Sequence, residues 1–334
     1  MMTSTKIIAE IGVNHNGDLA LAMKMIEAAK DAGADIVKFQ TFIAREVASS
    51  GTELADYQKR TQHNNSHLAM LQKLELDQDS HVKLLQFCEQ VGVEFLSSPF
   101  DFPSIELLSS LGLTTFKVPS GELTNIPYLR KVGQVSSHTL LSTGMATLGE
   151  IETALEVLEE SGNPRSEIIV LHCTSSYPTE MQDVNLRAMQ TIKDAFQVSV
   201  GYSDHTRGIE IPIAAVAMGA QVIEKHFTLD RSMEGPDHAA SLEPTEFSAM
   251  VRAIRSVESA MGSGIKRPSP SELPLKKIAR KSVVARRPIG IGEVFSADNL
   301  AVKRPGTGIP SSHWDDLMGR QSTREYLEDE LIQW

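Results

Sequence analysis

Eight short runs of β-branched and other apolar residues recur along the N-terminal two-thirds of the chain, at 6–11, 35–39, 93–96, 115–118, 139–141, 167–172, 198–201 and 221–224. Helix-period patterns separate most of them, for instance 19–32, 78–91 and 148–160, and each stops at or near a glycine (Gly33, Gly92, Gly162). A glycine past the last turn adopts left-handed dihedrals without steric cost, so it is an ordinary helix stop. Strands joined by helices pair in parallel, and eight such units close on themselves as a TIM (β/α)8 barrel. An open doubly wound sheet is the alternative. No Gly-x-Gly-x-x-Gly follows the first run, so a dinucleotide-binding fold has little support.

A chain of 334 residues accommodates one large α/β domain and a small appendage. The barrel is expected over 1–265. A stretch rich in Pro, Ser and charge, 266–274, reads as a linker, and 275–334 reads as a second compact unit. That unit carries β-like pieces at 282–285 and 299–302, with turns at Pro288-Ile289-Gly290-Ile291-Gly292 and Pro305-Gly306-Thr307-Gly308. So small a unit buries a modest core and is expected to lean on a surface of its own barrel or of another subunit. The insertion 41–76, polar and rich in His and Asn around 63–67, reads as a solvated loop with a helix rather than a metal-binding tract.

No apolar run approaches the ~20 residues of a membrane span. The start, Met-Met-Thr-Ser-Thr-Lys, leads into a strand without the apolar segment of a signal peptide. With Cys88 and Cys173 as its two cysteines, the chain has no disulfide framework and no cysteine-based zinc site, and a cytoplasmic setting is expected. The net charge of −11 argues against binding nucleic acid or anionic membranes. A small anionic substrate stays possible, because a pocket can be locally positive on an acidic protein.

In a TIM barrel the chemistry sits at the C-terminal ends of the strands. Those ends here offer Glu10; Lys38 and Gln40; Ser97 and Ser98; Lys117, Ser120 and Glu122; Ser142-Thr143-Gly144; His172 with Thr174-Ser175-Ser176-Tyr177; Ser203 and His205; and Glu224 and His226. Lys38 and Lys117 each lie between apolar strand residues, where an unpaired ammonium is costly. Two such lysines with the hydroxyls of Ser98, Ser120, Ser142 and Ser203 suit a ligand carrying both phosphate and carboxylate. His205 and His226 follow successive apolar runs, one helix apart, and suit a divalent metal with open coordination positions. Asp204 and Glu224 are expected to orient these imidazoles or to act as acid and base on bound water. His15, in Asn14-His15-Asn16-Gly17, reads as turn chemistry, and His172 as a filler of the barrel rim. Asp237, in Glu234-Gly235-Pro236-Asp237-His238 after the last strand, is a candidate for a polar substrate.

Several phrases match a known pattern in order: Ala9-Glu10-Ile11-Gly12-Val13-Asn14-His15-Asn16-Gly17, Val37-Lys38-Phe39-Gln40, Lys117-Val118-Pro119-Ser120-Gly121-Glu122, Ser142-Thr143-Gly144-Met145, His172-Cys173-Thr174, Tyr202-Ser203-Asp204-His205-Thr206 and Glu224-Lys225-His226-Phe227. Together they resemble the sialic acid synthase family. The tail around Lys303-Arg304-Pro305-Gly306 resembles that family's antifreeze-like (SAF, β-clip) domain. The resemblance implies condensation of phosphoenolpyruvate with an N-acetylated mannosamine-type sugar to give a nine-carbon 2-keto acid and phosphate. Carried over by position, His205 and His226 hold Mn²⁺ or Mg²⁺, while Lys38, Ser98, Lys117, Ser120, Ser142 and Ser203 hold phosphoenolpyruvate. Gln40, Glu10, Glu122, Tyr177 and Asp237 meet the sugar or its reacting end, and Glu224 or Glu122 is expected to carry the protons. Some members have asparagine where this chain has Ser175, on the phosphate side. The family's domain-swapped homodimer implies that Arg304 reaches the neighbouring subunit's site and touches the sugar's N-acetyl group. Gly235-Pro236-Asp237-His238 favours N-acetylmannosamine or a legionaminic-type 2,4-diacetamido-trideoxy acceptor over the altro (pseudaminic) isomer. Two other classes remain as readings of the residues alone: a metal-dependent hydrolase on the same barrel, and a sugar-binding regulatory protein without turnover.

Overall fold

The computed structural model describes residues 4–49 and 66–334. It divides into two units, Met1–Gly262 and Ser263–Trp334. In the first, eight parallel strands are hydrogen-bonded in the order β3-β2-β1-β8-β7-β6-β5-β4, and β3 lies beside β4 across the remaining seam. They are β1 Lys6–Gly12, β2 Ile36–Thr41, β3 Glu94–Pro99, β4 Thr115–Val118, β5 His138–Ser142, β6 Ile168–Cys173, β7 Ser199–Asp204 and β8 Val222–His226. This is the (β/α)8 barrel that the alternation demands. Most strands run one to three residues further than their apolar runs, because polar residues continue the ladder. Gln40, Asp204 and His226 are therefore strand residues.

The helices start and stop where local chemistry places them. Asp18, Asp77 and Asp101 accept backbone N–H bonds at the starts of Leu19–Asp31, Gln78–Val91 and Phe102–Ser110. Thr147 and Glu150 close a capping box at the start of Leu148–Glu160. Gly92 ends Gln78–Val91 with φ of 75°.

Successive side chains on a strand face opposite sides, so each strand feeds two cores. Residues such as Ile7, Ala9, Val37, Phe39, Phe95, Phe116, Leu141, Val170, Tyr202 and Ile223 pack in the large cluster under the helices. Ile8, Ile36, Leu96, Leu140, Leu171 and Val222 make a separate small cluster that plugs the barrel interior. Two residues beyond that plug, on the same face, stand Glu10, Lys38, Ser98, Ser142, Cys173 and Glu224. The plug thus forms the floor of whatever opens above it.

In the insertion between β2 and β3, a helix spans His67–Leu74. Part of the His/Asn-rich stretch 63–67 lies outside the described residues. No helix among the described residues is long and apolar enough to cross a membrane.

The second unit has its own core of Val283, Ala285, Ile289, Phe295, Leu300, Ile309, Leu317, Tyr326 and Ile332. Two antiparallel strands, β9 Ser282–Ala285 and β10 Leu300–Lys303, carry part of it. The helix Glu272–Ala279 begins inside the stretch that reads as a linker, and none of its residues is buried.

Candidate active site

Register brings the inward polar layer together. Glu10 aligns with Lys38 on one side and His226 on the other; Gln40 aligns with Ser98, Ser203 with Glu224, and Cys173 with Ser203. The result is one cavity of about 260 Å³. Of the residues singled out from sequence, it gathers Glu10, Lys38, Gln40, Ser98, Lys117, Ser120, Ser142, Ser175, Tyr177, Ser203, His205, Glu224 and His226.

Three of the expected residues are elsewhere. Glu122 lies in the short turn Ser120–Glu122, half-exposed, where it accepts a hydrogen bond from Asn125 at 2.6 Å. It is not on the cavity wall, because the turn aims the side chain along the following helix. Asp237 lines an adjoining cavity, with Oδ2 3.9 Å from His226 Nδ1. Arg304 belongs to the second unit, exposed, with its Nε donating to the Ala279 carbonyl at 3.1 Å.

The floor of the cavity is an ionic chain. Lys38 Nζ is 2.8 Å from Glu10 Oε2 and 3.8 Å from Glu224 Oε1, and it donates to Ser98 Oγ at 3.1 Å. Lys117 Nζ is 3.3 Å from the same Glu224 oxygen, and Ser203 Oγ donates to that oxygen at 3.1 Å. Gln40 donates to Glu10 Oε1 at 3.2 Å. The two lysines therefore do not wait bare for a ligand, as their sequence context suggests. Glu224 is their shared counter-ion, and it does not serve as an orienting partner of an imidazole.

The electrostatics separate the members of this chain. Burial pushes the Glu224 carboxyl up, but Lys117 and Lys38 outweigh it and hold the group down at about 2. Glu10 has one lysine and a repelling Glu224, so burial wins and raises it to about 7. Burial opposes the charge on Lys38 as well, yet Glu10 and Glu224 together raise its pKa. For Lys117 burial prevails and the pKa falls, because Glu224 is shared with Lys38 and the second lysine repels it. Lys117 is thus a cation short of negative charge at a cavity wall. Ser142 Oγ and Glu224 Oε2 are buried without a hydrogen-bond partner among the described residues.

The imidazoles of His205 and His226 stand 5.5 Å apart between ring centroids, and Tyr177 lies 4.1 Å from the first and 5.5 Å from the second. His205 Nδ1 is bonded to the Thr174 carbonyl oxygen at 2.6 Å, which leaves Nε2 as the free lone pair. Burial lowers the pKa of both rings, well below the ordinary value for His226, so both are neutral bases. His226 Nδ1 is buried and without a hydrogen-bond partner among the described residues. Two neutral imidazoles, one locked by a carbonyl, fit a divalent metal. Among the described residues no group of three His, Cys, Asp or Glu is placed to hold a metal ion.

Asp204 departs from expectation. It faces the helix side of the barrel, where Lys225 Nζ sits 2.5 Å from Oδ2, and both side chains are fully buried. It also accepts from the backbone N and the Oγ1 of Thr206. Alternation explains this: Asp204 lies between the inward Ser203 and His205, and so points outward. His172 likewise faces out, with Nε2 2.9 Å from the Val184 carbonyl oxygen. His15 is the turn residue expected, and its Nδ1 accepts from the Gly17 backbone at 3.0 Å.

Cys173, Phe100 and Met145 line the cavity without having been singled out. Cys173 could have been found by counting two from Leu171 on the inward face, where its Sγ meets Ser120 Oγ at 3.2 Å. Gly144 leaves room for its neighbours: a Cβ there would stand 2.1 Å from Ser175 Oγ and 2.8 Å from Ser120 Oγ, so a side chain at this wall would displace both hydroxyls.

A parallel barrel whose inward layer is an ionic cage beside two imidazoles defines an enzyme of the TIM-barrel class working on a small anionic substrate. Comparison with known proteins narrows the class. The NeuB family profile matches residues 25–266 and the SAF domain profile matches residues 280–334. The N,N'-diacetyllegionaminic acid synthase of Campylobacter jejuni subsp. jejuni serotype O:2 is 54% identical over 99% of this chain and 99% of its own. The enzyme of the same name from Legionella pneumophila subsp. pneumophila is 46% identical, over 98% of this chain and 93% of its own. The crystal structure of an N-acetylneuraminic acid synthetase from Leptospira borgpetersenii, in complex with citrate, superposes with a TM-score of 0.71 at 35% identity, over 82% of this chain and 90% of that one. The chain belongs to the NeuB, or sialic acid synthase, family and carries that family's SAF domain.

Proposed function

We propose that this protein condenses phosphoenolpyruvate with 2,4-diacetamido-2,4,6-trideoxymannose to give N,N'-diacetyllegionaminic acid and phosphate. The observation that carries the reading is the cage of Lys38, Lys117, Ser98, Ser120, Ser142 and Ser203 within one cavity of the two histidines. Such a cage fits a ligand with phosphate at one end and carboxylate at the other. The names of the two legionaminic acid synthases, at 54% and 46% identity, favour the diacetamido acceptor.

The residues divide the work. Lys117, short of negative charge, and Lys38 draw the phosphate and carboxylate, and Glu224 holds the lysines in place before the ligand arrives. Ser142, with its unpaired hydroxyl, donates to the incoming anion. These groups are fixed before reaction, so no reorganisation is needed when charge moves. Tyr177, Gln40 and Asp237 receive the sugar, and Ser175 lies on the phosphate side. A divalent metal, Mn²⁺ or Mg²⁺, held by His205 and His226 supplies a Lewis acid for the sugar aldehyde when bound.

In the reaction, C3 of phosphoenolpyruvate bonds to the aldehyde carbon, and the aldehyde oxygen takes up a proton. Water adds to C2 with loss of one proton. The resulting hemiketal loses its hydroxyl proton as the C–O bond to phosphate breaks, and the departing phosphate takes up the one proton left over. Glu10, with a pKa of about 7, is suited to carry these protons near neutral pH, whereas Glu224 at about 2 stays ionised. Glu122, off the cavity wall, is left without a proton-transfer role.

The family further implies a homodimer in which Arg304 of one subunit serves the acceptor of the other. Mixing an Arg304→Ala chain with a Lys117→Met chain then restores activity to part of the mixed dimers; no recovery contradicts shared sites.

The direct experiment is to follow phosphate and keto acid with the diacetamido sugar and Mn²⁺. One phosphate per nine-carbon keto acid is expected, with none released when the acceptor is left out. Phosphate release independent of acceptor would instead identify a hydrolase.

A further inference from the structure

One residue outside the cavity wall grips His205 at two points. The chain leaving β6 loops through 174–178 and returns beside the end of β7. There Thr179 forms a parallel bridge with Thr206, and its backbone N–H donates to the His205 carbonyl at 2.9 Å. Thr179 is buried, and its Oγ1 lies 2.8 Å from the Ser176 carbonyl oxygen and 3.3 Å from the Thr174 carbonyl oxygen, so one hydroxyl hydrogen stands between two acceptors. That Thr174 oxygen is the one the His205 ring reaches through Nδ1 at 2.6 Å. Thr174 is held from its other side as well, where its Oγ1 donates to the Asp183 carbonyl at 3.2 Å.

A carbonyl oxygen only accepts, so Nδ1 of His205 carries the hydrogen and the lone pair of the neutral ring falls on Nε2. The direction of that lone pair then follows the position of the Thr174 oxygen. Residues 174–178 belong to no helix or strand, so no ladder fixes this carbonyl. The Thr179 hydroxyl closes the loop across its base instead. Tyr177, carried by the same loop, lies against the ring at 4.1 Å between centroids. Closing a local turn would need only the contact to Ser176. The reach to Thr174 and the backbone bond to His205 are what tie Thr179 to the imidazole. His226 has no such support: its Nδ1 lacks a hydrogen-bond partner among the described residues. Of the two rings, His205 is the one aimed before a cation arrives.

Resting on the metal seat of the synthase reading above, we propose that Thr179 is a positioning residue for the divalent cation, its hydroxyl fixing the Thr174 carbonyl that sets the tautomer and direction of His205. Removing a partner one step behind a metal ligand costs about 10- to 100-fold in metal affinity, because the ligand loses both orientation and basicity.

The test titrates the full-length protein with Mn²⁺ alone and reads the free ion by electron paramagnetic resonance. Thr179→Val and Thr179→Ala both remove the hydroxyl, which guards against one of them failing to fold, and each should weaken Mn²⁺ binding by about 10- to 100-fold. Thr179→Ser keeps the hydroxyl and should bind as the wild type does, an outcome that a role of the methyl group in packing would not give. In the wild type, nitrogen NMR of labelled histidine should show His205 protonated at Nδ1, the signal being assigned by its loss in His205→Asn. Wild-type affinity in the Val and Ala variants, equal losses in all three variants, or a wild-type His205 protonated at Nε2 overturns the inference and leaves the synthase reading standing. Mn²⁺ binding that is absent from the wild type, or unchanged in His226→Ala, removes the seat itself and takes that part of the synthase reading with it.

Discussion

Two buried ionic groups share strands β7 and β8 and face opposite ways. On the helix side, Asp204 and Lys225 form a sealed pair with no exposure, and Lys225 also donates to the Thr206 carbonyl at 2.5 Å. Thr206 returns two hydrogen bonds to Asp204, so the group is satisfied within itself. On the inner side, one carboxylate oxygen of Glu224 serves two lysines and a serine, while its other oxygen and the nearby Ser142 hydroxyl lack partners among the described residues. Burial of charge is common to both, so burial alone does not mark a site. What marks it is incomplete compensation beside an open volume: the outer pair fastens two strands, and the inner group keeps unpaired polar atoms at a cavity wall, as a proposed anion receptor would.

The largest effect is expected from breaking the inner group. Lys117→Met should lower kcat/KM about a thousandfold or more, since a preorganised cation facing developing charge is lost. Its folding stability should stay within about 1 kcal/mol of wild type, because Glu224 keeps Lys38 as a partner. Chemical denaturation alongside kinetics checks both halves; a collapse of stability would erase the distinction between the two groups.

The outer group should behave in the reverse sense. Lys225→Met strands Asp204 as a buried, uncompensated charge and should cost about 3–5 kcal/mol of stability. Adding Asp204→Asn should recover much of that loss. A neutral single variant in a denaturant titration would show that the pair is not a fastening.

A smaller effect separates the carboxylates by pH. The ordinary value of 4.5 rises to about 7 for Glu10, so between those values the folded chain keeps a proton that the unfolded chain has lost. The stability from this group is complete below 4.5 and is lost as the pH climbs through about 7. Glu224 has the opposite sign: its contribution is present above 4.5 and is lost as the pH falls towards about 2. Glu10→Gln should therefore gain stability relative to wild type as the pH rises from acid to above neutral. Parallel stability curves for the two proteins across that interval would contradict the assignment.

The least effect is expected at Cys173, whose Sγ meets Ser120 Oγ at 3.2 Å in the wall. Cys173→Ala should change the KM for phosphoenolpyruvate by less than about tenfold, the range of one weak hydrogen bond. A larger rise would move the thiol into the anion cage.

The barrel was legible because eight apolar runs, most of them separated by helix patterns, favour closure over an open sheet, and most of the cavity was legible because functional side chains crowded the strand ends. Neighbouring residues were harder to divide between faces. Asp204 sits one residue from His205, and its apparent kinship with the imidazole pair dissolved once register turned it outward to Lys225. Glu122 follows β4 closely, yet a three-residue turn carries it off the wall. The counter-ion of the two lysines was in plain view as Glu224, but nothing local shows that β8 brings it between β2 and β4. The adjoining cavity, lined by Met70, Leu71 and Leu74 beside Asp237, depends on a helix in an insertion that carries no catalytic motif, so only packing reveals it.

Calorimetric titration of phosphoenolpyruvate into the wild type, Lys117→Met and Lys225→Met compares the two groups on a single scale. The inner variant should lose about 3 kcal/mol of binding, roughly a hundredfold in affinity, while the folded fraction of the outer variant binds as the wild type does. Equal affinities for wild type and Lys117→Met would contradict the claim that the inner ionic layer is the anion receptor.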